Sequence, residues 1–132
     1  MTQHKEILIK NSIEKSDLAL NNAESNIQNN QLLNAQNRIY YAVFYIVLAL
    51  AYLDEFTTGK HHQLMGWFNK KYIYESKIFD KKLGEIYRNA MVNREKFDYE
   101  VDKFPEKEQT LKDLDDARYF VNEVKKYILN NL

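Results

Sequence analysis

Residues Ile39 to Leu53 form a run of fifteen without a charged side chain, and Arg38 stands immediately before it. Four tyrosines, Tyr40, Tyr41, Tyr45 and Tyr52, lie inside the run. A helix that is apolar on all sides has to be surrounded by other helices. A membrane span needs about 20 predominantly apolar residues, so this shorter, phenol-rich run reads as a core helix. A guanidinium at its mouth is costly to bury alone. The chain is therefore expected to hold a central helix inside a bundle, with a charged site near one end. Arg38 is expected to be partly buried there and paired with an acid, Asp98 first.

Composition supports long helices. Three glycines and one proline in 132 residues leave few breakers. Helical spacing of apolar residues marks five segments, at about 3–28, 31–54, 61–74, 81–97 and from Pro105 onward. Asn29-Asn30 separates the first two, Thr57-Thr58-Gly59 is the clearest loop, and Asp80 reads as an N-cap. In the last segment Leu111, Leu114, Ala117, Val121, Val124 and Ile128 form the expected buried stripe. No strand-like alternation or repeat is present. The fold class expected is all-α, an up-and-down bundle of about five helices in a single domain, 1–132.

Several chemistries are excluded by residue type. There is no cysteine, hence no disulfide, thiolate nucleophile or cysteine-based zinc site. Glycine-rich phosphate loops and metal-binding histidine pairs are missing, so no cofactor and no metal is expected. The first residues lack the apolar stretch of a secretory signal, which with the absent cysteine fits a cytoplasmic location and no membrane. Net charge is zero but uneven: residues 60–98 carry nine cations and five anions, flanked by two segments of net −2. Such a basic middle can attract phosphate. Ten tyrosines, seven phenylalanines and a tryptophan are more aromatic surface than a small bundle readily hides, which points to a homodimer.

The motifs then resemble a known family. Asn37-Arg38-Ile39-Tyr40-Tyr41-Ala42-Val43-Phe44 resembles the S-R-x-Y-Y-A-x-F start of the central helix in HEPN domains. Lys60-His61-His62 followed by Phe68-Asn69-Lys70 is similar to the K-T-H-S-G … F-N-K segment of the UPF0332-like branch. Ile78 to Gly84 and then Arg94-Glu95-Lys96-Phe97-Asp98-Tyr99, an R-x-x-x-D-Y signature, follow in the family's order. The resemblance spans residues 37–99. It implies a dimeric helical bundle from toxin–antitoxin or defence-type systems, a minimal nucleotidyltransferase as partner, and RNA or nucleotide as ligand. Many such domains cut RNA without metal, using an Arg-x4–6-His motif on a late helix.

This chain departs from that motif. After Arg88 the Arg-x4 and Arg-x5 spacings land on Asn93 and Arg94, and no histidine lies beyond His62. Neither asparagine nor arginine exchanges a proton near neutral pH. Cleavage by the family's usual route is therefore not expected. The catalytic candidates that remain are Arg88, His62 and Arg38, with His62 as a non-standard base. For RNA or nucleotide binding the candidates are Arg38, Lys60, His62, Arg88, Asn93, Arg94, Asp98 and Tyr99, beside the basic Lys70 and Lys71. A regulatory RNA-binding partner of a nucleotidyltransferase is the first reading, and a metal-independent endoribonuclease the alternative.

Overall fold

A computed structural model describes residues 2–132. Five α-helices follow one another: α1 (Gln3–Gln28), α2 (Leu32–Leu53), α3 (His61–Phe68), α4 (Lys81–Tyr99) and α5 (Lys107–Asn130). Among the described residues there is no strand, and no helix is long and apolar enough to cross a membrane.

The charge-free run makes α2 the centre of the bundle, in contact with α1, α3, α4 and α5. Ala35, Ala42 and Ala49 recur every seven residues and are fully buried. Small residues on α1, Ser12, Ser16, Ala19 and Ala23, are buried too. The two helices come close enough for Ser16 Oγ to donate to the Ala42 carbonyl at 2.7 Å. Asn30 turns the chain between them with φ of 58°, a left-handed value that asparagine tolerates. On the other side of the core, Phe68, Tyr72, Phe79, Tyr87 and Phe120 interlock, with Phe68 at 5.4 Å from Phe120. Asp80 caps α4 as expected, accepting from the Lys82 amide at 2.8 Å.

Three details correct the expectation. The third helix does not run on to residue 74: it ends at Phe68 and widens into a π-helical segment, Asn69–Glu75. The wider turn buries both Tyr72 and Ile73, and the Tyr72 hydroxyl donates to Asp54. Gly84 of α4 packs beside it, where a Cβ would stand 3.1 Å from Asn69 Oδ1. The last helix starts at Lys107 rather than Pro105, because Glu106 is still extended (φ −95°, ψ 146°). Leu111 is exposed, and its neighbour Thr110 is buried instead. The Thr110 hydroxyl donates to the Glu106 carbonyl and accepts from Gln36, which draws that position inward.

Candidate functional site

The start of α2, the start of α3 and the second half of α4 meet at one site. Its centre is Tyr40, which has no solvent exposure. Its hydroxyl lies 2.7 Å from His61 Nδ1. Burial pushes the phenol well above its ordinary pKa, against the opposing pull of Arg94. Tyr40 therefore keeps its proton near neutral pH and donates it to Nδ1. His61 is pushed the other way, below its ordinary value, by burial first and then by the Arg94 and His62 charges. A neutral imidazole that accepts at Nδ1 carries its proton on Nε2. His61 is thus a fixed N–H donor, clamped by a ring stack on Phe44 at 4.3 Å.

Two guanidiniums flank the next ring. Arg38 lies over Tyr41 at 5.1 Å and Arg94 over the same ring at 5.4 Å, with Arg94 also over Tyr40 at 4.8 Å. Each such contact is worth ~0.5–1 kcal/mol when exposed and more when dry. Neither arginine has a carboxylate within hydrogen-bond distance. Arg38 donates only to the Asn37 side-chain oxygen, from Nη2 at 2.8 Å and Nε at 3.2 Å. The expected Arg38–Asp98 pair is not formed: Asp98 faces Arg94, one helical turn back, at 3.8 Å. Arg94 Nε is buried without a hydrogen-bond partner. For Arg38 a ring and an amide do the holding that an acid was expected to do, while Arg94 keeps the longer 3.8 Å pair with Asp98.

His62 points away from His61 and meets Glu95. Its Nε2 is 2.9 Å from Glu95 Oε1, and both side chains are exposed. In its neutral form His62 donates Nε2–H to that carboxylate, which leaves the Nδ1 lone pair open. A carboxylate that fixes the tautomer of an imidazole is the arrangement of a general base.

The other predicted residues divide. Lys60 is exposed and precedes His61 at the start of α3. Arg88 is exposed on the same side of α4 as Glu95, seven residues or about two turns earlier. Tyr99, 79 % exposed, ends α4 and packs on nothing in the core. Asn93 is turned away: its Nδ2 approaches Asp113 of α5 at 3.4 Å. Within the basic stretch Lys71 is held by Asp54 at 2.9 Å and lies near Trp67 and Tyr72. Among the described residues no group of three His, Asp or Glu is placed to hold a metal. Sequence reasoning missed Tyr40, His61 and Glu95 as site members. All three lie inside the motif segments quoted above, but at positions to which those motifs gave no role.

Comparison with known proteins agrees with the motif reading. A family model described as "HEPN domain" matches residues 9–127. A "UPF0332 protein" of Thermotoga maritima is 33% identical over 111 residues, covering 83% of this chain and 82% of that protein. A Methanocaldococcus jannaschii protein named as a "putative toxin" is 32% identical over 119 residues, covering 89% of this chain and 80% of its own length.

Proposed function

The chain belongs to the HEPN domain family, and from that premise we propose that it is an RNA-binding module. It grips phosphate with Arg38 and Arg94 and acts as a homodimer beside a minimal nucleotidyltransferase, in a toxin–antitoxin setting. One observation carries the ligand class: two guanidiniums share the Tyr41 ring, and neither has a carboxylate within hydrogen-bond distance. Planar guanidiniums match phosphate oxygens two at a time. His61 Nε2–H adds a third, uncharged donor. The dimer draws support from half-buried Tyr41, Tyr45, Leu48 and Tyr52, which leave one strip of the apolar α2 open. The toxin–antitoxin setting draws on the name of the archaeal relative.

Binding to single-stranded RNA across a salt series tests this. Affinity falls with salt for the wild type, and Arg38→Ala and Arg94→Ala each weaken it and flatten the slope. Wild-type protein that binds no RNA at low salt overturns the proposal. Sedimentation at micromolar concentration with only a 15.8 kDa species overturns the dimer.

A second reading is favoured by the His62–Glu95 contact. His62 Nδ1 takes the proton of a 2′-OH, the 2′ oxygen attacks phosphorus, and the P–O5′ bond breaks. Water protonates the leaving oxygen. The products are a 2′,3′-cyclic phosphate and a 5′-OH end. Cleavage in EDTA that is lost in both His62→Gln and Glu95→Gln, with binding kept, supports it. No cleavage by the wild type removes it.

A further inference from the structure

On the other side of α4 a cleft of about 320 Å³ opens between α4, the 100–106 segment and the first turns of α5. Its floor is the Asp113 carboxylate. Gln36 Nε2 donates to Oδ2 at 2.8 Å, Asn93 Nδ2 approaches the same oxygen at 3.4 Å, and Gln109 Nε2 donates to Oδ1 at 3.0 Å. Gln36 is 2 % exposed; its Nε2 end is held by two acceptors, and its Oε1 is buried without a hydrogen-bond partner. Its Nε2 also reaches Thr110 Oγ1 at 3.3 Å, and that hydroxyl spends its own proton on the Glu106 carbonyl. The amide cannot turn over without facing two acceptors with an oxygen. The floor is therefore a carboxylate held in place from behind, and a ligand that meets it must bring donors.

The rest of the lining is aromatic and charged, with two cations to one anion. Phe97 and Phe104 line the cleft, and its charged lining besides Asp113 is two ammonium groups, Lys96 and Lys103, and one carboxylate, Glu106. Phe104 is 70 % exposed, an unusual position for a phenylalanine. It also borders a second, more apolar cleft of about 460 Å³ beside Leu32 and Leu33, so its ring divides two open spaces. A flat apolar wall, an acceptor floor and ammonium groups in the lining suit a nucleobase carrying phosphate.

Donor pattern selects the base. On the Watson–Crick edge guanine presents two adjacent donors, N1–H and the 2-amino group. Adenine and cytosine each pair a donor with an acceptor, and uracil sets one donor between two acceptors. Only guanine matches both oxygens of one carboxylate. A carboxylate has about four lone-pair sites. Oδ1 carries Gln109 alone and keeps one site open, and at Oδ2 the long Asn93 contact at 3.4 Å is the one that a base donor displaces.

We propose that this cleft binds a guanosine phosphate unit, with the base on Phe104, its N–H pair on Asp113, and phosphate at Lys96 and Lys103. As a device for reading RNA the site rests on the RNA-binding function proposed above; as a site for free nucleotide it does not.

Calorimetric titration of the full chain separates these. The ligands are GMP, AMP, CMP and UMP, and two single-stranded hexanucleotides, all-uridine and the same with one guanosine. GMP, the guanosine-containing strand, or both bind at least about tenfold tighter than their counterparts, in line with one bidentate base contact. Asp113→Asn erases that preference, and Phe104→Ala weakens binding. Phe104 and Lys103 are exposed, so Phe104→Ala and Lys103→Glu remain informative if Asp113→Asn fails to fold. Equal affinity for all four nucleotides and for both strands overturns the proposal. RNA bound without guanosine preference and unchanged by Phe104→Ala overturns it while leaving the arginine site intact. GMP bound by a protein that binds neither strand supports the cleft and overturns the RNA-binding reading.

Discussion

Arg94→Met tests whether the second guanidinium serves a ligand or the fold. Methionine keeps the apolar stem and removes the charge. The substitution deletes ring contacts to Tyr40 at 4.8 Å and Tyr41 at 5.4 Å, together ~1–2 kcal/mol. It deletes the 3.8 Å pair with Asp98, whose i, i+4 spacing is worth ~0.3–0.5 kcal/mol. It also relieves Arg94 Nε, buried without a partner, which returns part of a ~1–3 kcal/mol penalty. The balance is a loss of about 1 kcal/mol, or roughly 3–6 °C in Tm for a domain of this size. Affinity for RNA changes more. A hydrogen bond to a charged group contributes ~1.5–3 kcal/mol, so binding drops by roughly 10- to 100-fold and the salt slope falls by about 0.7 for a lost single-strand phosphate contact. Urea unfolding and a salt series of binding isotherms measure both. His61 supplies an internal check: without Arg94 its pKa rises toward the ordinary value, yet stays below it because burial is the larger cause. NMR titration of the ring protons reads this. Unchanged affinity and slope refute the anion site. A stability loss of ~3–5 kcal/mol makes Arg94 a structural ion-pair member instead.

Three further outcomes follow from the geometry. His61 binds a proton less readily folded than unfolded, so its contribution is complete above about pH 6.5 and is lost as pH falls through that value toward the folded-state pKa. Between pH 7.5 and 5.5 the wild type should lose more stability in urea than His61→Asn, whose amide oxygen can accept from Tyr40; equal losses refute the assignment. Asp54→Ala strands the buried Tyr72 hydroxyl and frees Lys71, at a cost of about 1–3 kcal/mol, and an unchanged thermal melt contradicts it. Asn93→His should create no RNA cleavage in EDTA, because the side chain at 93 faces Asp113 and not the Arg94 cluster; cleavage that appears in this variant and vanishes with Arg88→Ala refutes that geometry.

The bundle was legible because its signals are local. Asn29-Asn30, Gly59 and Asp80 punctuate the chain where the helices end or begin, and the charge-free run identifies α2 as the core. The π-helical segment was not legible. Nothing in Asn69–Glu75 forbids an ordinary turn, and Tyr72 reaching Asp54 is a tertiary preference. At the site, the family motif picks out Arg38, His62, Arg94 and Asp98 but not their partners. Charge arithmetic pairs a semi-buried arginine with an acid. The fold satisfies Arg38 with a ring face and a neighbouring amide, neither of which a count of formal charges registers. Asn93 and Arg94 sit about 100° apart on α4, so they had to face different neighbours. Which faced α2 and which faced α5 depended on packing alone.

Two adjacent histidines acquire opposite roles from their hydrogen bonds, and this bears on which proton transfers the site supports. His61 spends its Nδ1 lone pair on a phenol that keeps its proton, so it offers Nε2–H and no base. His62 spends its Nε2 proton on Glu95 and offers a lone pair at Nδ1. A donor beside two guanidiniums favours a bound phosphate oxygen; a lone pair at the edge favours a hydroxyl proton. Binding needs only the first set, and cleavage needs both. On the binding reading the arginine variants lower affinity; on the cleavage reading they lower turnover as well, whereas His62 and Glu95 variants lower turnover and leave binding in place. A Glu95→Gln protein that binds RNA as the wild type does but differs in cleavage would place the boundary between the two functions at that one carboxylate.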